Sequence, residues 1–69
     1  MNASKIFNEM YDECYRTIKL RNDMSTSAKA NKLRRLISLM RKLNAQYNLN
    51  EIVDYEHIMS VFYNSTYKR

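Results

Sequence analysis

Apolar residues return at every third or fourth position along most of this 69-residue chain, and the pattern divides into amphipathic segments separated by short polar runs. The first segment, about 4–21, places Ile6, Phe7, Met10, Tyr11, Cys14 and Ile18 on one side of a helix. Lys5, Asn8, Glu9, Asp12, Arg16 and Lys19 fall on the other side. Lys5 with Glu9 and Asp12 with Arg16 stand four apart, a spacing whose ion pairs are worth roughly 0.2 to 0.5 kcal/mol each. This helix is expected to be solvated and electrically balanced.

Asn22-Asp23-Met24-Ser25-Thr26-Ser27 breaks the periodicity with small polar side chains that bond to nearby backbone and cap a helix. A long second helix is predicted over 27–47, with Leu33, Leu36, Ile37, Leu39, Met40, Leu43 and Tyr47 on its apolar arc. Arg34, Arg35, Arg41 and Lys42 lie on its far side. Asn48-Leu49-Asn50 reads as a turn in which Asn48 takes the left-handed position and Asn50 caps the next helix. That third helix is predicted over 51–63, with Glu51, Asp54 and Glu56 at its positive dipole end. Ile52, Tyr55, Ile58, Met59, Phe62 and Tyr63 form its main apolar face, and Val53, His57 and Val61 form a second, narrower row. Residues 64–69 are expected to fray. No repeat or sustained alternation supports a strand.

The expected fold is therefore all-α: a small three-helix bundle with a long basic central helix, occupying residues 1–69 as a single domain. Domains of this size rarely obtain more than about 3 to 5 kcal/mol from one core, and many add a disulfide, a metal or a second copy. Cys14 is the only cysteine and His57 the only histidine, so one chain can form neither a disulfide nor a structural zinc site. No metal or cofactor is expected, and a homodimer is the expected remedy for the small core. Val53, His57 and Val61, together with Leu20 and Leu39, are the candidate apolar interface residues.

Charge changes the picture most. Lys29, Lys32, Arg34, Arg35, Arg41 and Lys42 fall within fourteen residues that hold no acid, whereas the formal net charge of the whole chain is +5. Such a stripe points to an acidic partner or an internal acidic neighbour, including the acids of the third helix if it packs antiparallel to the second. If all six cations met phosphates of duplex DNA, log K would fall with log salt at a slope of about −5.

Other chemistry is thin. His57 and Asp54 are one turn apart but have no nucleophile, Gly-rich loop or carboxylate pair beside them, so no catalytic residues are assigned and the protein is not expected to be an enzyme. Cys14 lies on an apolar arc and reads as a core residue. Tyr11, Tyr47, Tyr55 and Tyr63 lie on apolar arcs too, leaving Tyr15 and Tyr67 as the rings expected to be exposed. The joint after the first helix is too long, and the second helix too long, for a helix-turn-helix. Cys14-Tyr15-Arg16 resembles the Leu-Tyr-Arg motif of the LYR adaptor proteins in two residues, too little to carry a family role.

No segment is long and apolar enough to span a membrane, and the residues after Met1 do not read as a signal core, so a cytoplasmic location is expected. A membrane surface is not expected to be a partner, because the apolar arc of the second helix is needed for the core. Abundant Asn, Tyr, Lys and Met with no Gly, Pro or Trp match the bias of an AT-rich coding sequence, as in a phage or other mobile element. The function expected is that of a non-catalytic regulatory or accessory protein. Apolar helix faces would bind a protein partner, and the basic helix would steer them to its acidic surface. The alternative is a nucleic-acid-binding protein that sets the same cations on phosphates.

Overall fold

The computed structural model describes residues 2–67, with the side chain of Tyr67 left out. Three helices succeed one another, α1 (Ala3–Lys19), α2 (Thr26–Tyr47) and α3 (Tyr55–Tyr67), with no strand among the described residues. Each contributes to one core: Phe7, Cys14 and Ile18 from α1, Leu33, Ile37 and Met40 from α2, and Ile58, Met59 and Phe62 from α3. These are the residues that the helical periodicity singled out, and burying each such side chain is worth roughly 1.5 to 3 kcal/mol before chain entropy is counted. The bundle measures 38 × 21 × 15 Å, its long dimension following α2, whose residues alone rise about 33 Å.

Side chains mark the helix ends where Gly and Pro are missing. Asn2 accepts from the Lys5 N–H at 3.1 Å to open α1, and Ser25 Oγ accepts from the Ala28 N–H at 3.1 Å to open α2. Asn48 closes α2 with φ 51°, ψ 51°, while the Leu49 N–H donates to the Asn44 carbonyl at 3.2 Å, the outer bond of a Schellman closure. Leu49 and Leu43 then pack against the core beside it.

The third helix departs from its expected bounds at both ends. Asn50 does not cap it: its φ is 57°, and the Glu51 backbone is held by the side chain of Asn44. The helix waits for Asp54, whose carboxylate accepts from the His57 N–H at 2.9 Å. Glu51 thus lies before α3, and Ile52, expected on its apolar face, is 81% exposed in the connection. At the far end the helix continues through Tyr67 where fraying was expected; Lys68 and Arg69 lie outside the described residues.

Candidate binding surface

The cations of α2 do not form one stripe; the helix turns them in three directions. Lys29 and Lys32 point to α1. Lys29 Nζ donates to the Ile18 carbonyl at 3.3 Å, satisfying one of the acceptors left over at the C-terminal end of α1. Lys32 Nζ meets Glu13 Oε2 at 2.6 Å, and both side chains are about two-thirds covered. This contact holds the Glu13 carboxyl below its usual range, with the Lys32 hydrogen bond the main cause, opposed by partial burial. Pairing 18 with 29 and 13 with 32 also sets α1 antiparallel to α2.

Arg34 and Arg41, two turns apart, line the edge of α2 nearest α3. Arg34 donates to Asn31 Oδ1 at 3.3 Å, and the Arg41 guanidinium carbon lies 6.0 Å from the centre of the Tyr55 ring. Arg35 and Lys42, also two turns apart, are exposed on the outer side and make no hydrogen bond or ion pair with any described residue. Although α3 runs antiparallel to α2, neither Glu56 on it nor Glu51 and Asp54 before it pairs with any of these four. The internal acid came from Glu13 on α1 instead.

No protein family, curated protein or solved structure matches this chain.

The apolar candidates divide in the same way. Val53 precedes α3 and Val61 lies within it, both half-buried against the core, while His57 is exposed, so the three do not make an outward row. Leu20 and Leu39 do face outward, at 69% and 43% exposure. Ile52, Tyr47 and Tyr63, which sequence periodicity also placed on apolar arcs, are exposed as well, at 81%, 43% and 48%.

Several other groups find ordinary structural roles. Cys14 is fully buried and its thiol is pushed up to about 11 by burial, with the neighbouring Glu13 charge acting in the same direction. Asp54 uses its carboxylate on the backbone of His57. Tyr15, expected to be exposed, is half-buried against the core and stacks on Tyr11 with ring centres 5.9 Å apart, and burial raises its phenol above the ordinary value. The side chain of Tyr67 lies outside the described residues. Lys5 and Glu9 do not pair, and Arg16 turns from Asp12 to Glu13 at 3.9 Å.

A shallow groove of about 280 Å³ between Tyr15 and Leu20 runs along the exposed face of α1, and a more polar one of about 350 Å³ lies between the start of α2 and Phe62. Among the described residues no group of three or more His, Cys, Asp or Glu gathers to hold a metal ion, and no helix is long and apolar enough to cross a membrane.

Proposed function

We propose that this chain is a small, non-catalytic regulatory or accessory protein of the cytoplasm, encoded by a phage or other mobile element, which self-associates and binds an acidic surface of another protein through α2. The observation that supports this reading is that Arg34, Arg35, Arg41 and Lys42 are all exposed and meet no carboxylate among the described residues. Solvated cations add little to folding stability, but together they raise the rate of encounter with an acidic partner and disfavour basic ones. Exposed Leu20 would add apolar contact area that a phosphate backbone cannot use.

Affinity capture from the host of origin, comparing the native chain with Arg34→Glu, Arg41→Glu, tests it. The expected result is a protein retained by the native chain, released as salt rises, and lost in a variant of unchanged helicity. A partner held equally well by both would remove the basic helix from the reading.

The lack of neutralisation by the acids of α3 favours a second reading, in which the same four cations contact nucleic-acid phosphates. With Lys29 and Lys32 engaged internally, the expected salt slope on duplex DNA becomes about −3.6. Absence of binding to random duplex at low ionic strength would exclude it.

A further inference from the structure

The Glu13–Lys32 pair marks the seam where α1 and α2 meet on the side away from α3, since Arg41 over Tyr55 marks the opposite side of α2. Seven residues are close to two full helical turns, so the positions seven before Glu13 and seven after Lys32 occupy the same seam further along. Those positions are Ile6 and Leu39. Ile6 is half-buried and Leu39 is 43% exposed. Met10 and Leu36, both half-buried, lie between this apolar point and the ion pair. The seam thus ends in an apolar cluster that α3, on the other side, does not cover.

Charge says what fits there. On the outward side of α1, next to this cluster, stands Glu9, exposed and without an ion pair to any described residue. On the outward side of α2 stands Arg35, exposed and equally without one. The 13-to-32 register puts Glu9 opposite position 36, so Glu9 and Arg35 are within one residue of the same height, one on each helix. An acid on one side of an apolar seam and a base at the same height on the other make a self-complementary surface under a two-fold axis running along the seam. That operation lays α1 of one copy over α2 of the other, antiparallel. It gathers Ile6 and Leu39 of both copies around the axis, and it sets Glu9 of each against Arg35 of the other.

We infer that the α1–α2 face is the dimerisation surface and that its occupant is a second copy of this chain, packed with Ile6 and Leu39 at the centre and two Glu9–Arg35 pairs at the flanks. The inference deepens the self-association proposed above by assigning its surface and symmetry. It has the anatomy of a stable interface, apolar at the centre and polar at the rim. It also leaves Arg34 and Arg41 outward, so the dimer would carry one basic ridge on each copy.

Sedimentation and light scattering of the full chain at micromolar concentration test this, with circular dichroism as the check on folding. The native chain is expected to be a dimer and Leu39→Glu a monomer of the same helicity, since Leu39 is not a core residue. Glu9→Arg and Arg35→Glu, each removing two symmetric pairs, are expected to weaken the dimer roughly ten-fold. The double variant Glu9→Arg, Arg35→Glu is expected to recover most of the loss, and Arg35→Glu alone separates the pairs from a general effect of net charge, which would tighten the dimer as the charge falls from +5 to +3. A native chain that stays monomeric overturns self-association as a whole. A dimer indifferent to Leu39→Glu, or a double variant no better than the single ones, overturns this surface while leaving self-association through another.

Discussion

The side chain of Asn44 is bonded twice to the backbone of Glu51: its amide donates to the Glu51 carbonyl at 2.7 Å and its oxygen accepts from the Glu51 N–H at 3.1 Å. The last turns of α2 thereby hold the connection to α3 as a neighbouring strand would, through a donor and an acceptor side by side. The same residue offers its own carbonyl to Leu49. One asparagine therefore closes a helix, sets the path of the next six residues and delays the start of α3 to Asp54.

Replacing Asn44 with Ala removes both side-chain bonds and leaves the Glu51 groups to water. At an exposed site neutral hydrogen bonds contribute toward the lower end of their range, about 0.5 to 1 kcal/mol each, so a loss of about 1 to 2 kcal/mol is expected. For a domain of this size that corresponds to a fall in melting temperature on the order of 5 to 15 °C. Asn44→Asp keeps the acceptor but turns a carboxylate oxygen toward the Glu51 carbonyl, at the end of α2 where the helix dipole disfavours negative charge, so it should melt no higher than Asn44→Ala. Equal melting of Asn44→Ala and the native chain would mean that the connection is set elsewhere.

That residue also shows where sequence reasoning stopped. Glu51, Asp54 and Glu56 after an asparagine look like the acidic first turn of a helix, and nothing local to Asn50 denies it. What decides the matter is a side chain seven residues before Glu51, competing for its backbone. By contrast, the nine core residues were legible, because burial obeys the helical period that the chain displays. The exposure of Arg34, Arg35, Arg41 and Lys42 was legible for the same reason. Lys29 and Lys32 were not: their partners are eleven and nineteen residues away, and the register of α1 against α2 chooses them. Glu13 was missed because it falls at the edge of the apolar arc of α1, between the two faces that the periodicity separates.

Lys32 and Glu13 make a testable link to pH. The carboxyl of Glu13 lies below its ordinary value of 4.5 in the folded chain, so its contribution is complete above that pH. It is lost as pH falls from there through the depressed folded value. Because both side chains remain about one-third exposed, the contribution should be small, about 0.5 to 1 kcal/mol. Glu13→Gln is expected to be less stable than the native chain at neutral pH and to show a shallower loss on acidification in urea-unfolding series. Some acid sensitivity should persist in that variant. Asp23, bonded to Arg21 at 2.9 and 3.0 Å, is held down to about 2, mainly by that hydrogen-bonded pair, so its contribution is lost over a lower range. Parallel pH profiles for the native chain and Glu13→Gln would assign the acid sensitivity to other carboxylates.

Cys14 gives a readout of opening. Its thiol is fully buried and raised to about 11, so at neutral pH almost none of it is the reactive thiolate. Labelling by a thiol reagent should be slow in the folded chain and accelerate in proportion to the unfolded fraction as denaturant is added. Fast labelling under native conditions, at the rate of an unstructured peptide, would show that α1 leaves the core far more often than its packing implies.

Asn48 tests whether the end of α2 depends on backbone conformation or on side-chain contacts. At φ 51°, ψ 51° it occupies the left-handed region, where a residue with a β-carbon is strained and a branched one most of all. Asn tolerates this region better than most residues, so Asn48→Gly should change stability by only a few tenths of a kcal/mol, because relief of strain and greater freedom of the unfolded chain nearly offset each other. Asn48→Val should cost about 1 to 2 kcal/mol, since the branched side chain meets the backbone of the same turn. Equal losses for Gly and Val in chemical denaturation would point to a contact of the Asn48 side chain. A large loss for Val alone would place the determinant in the left-handed backbone that lets Leu49 return its N–H to Asn44.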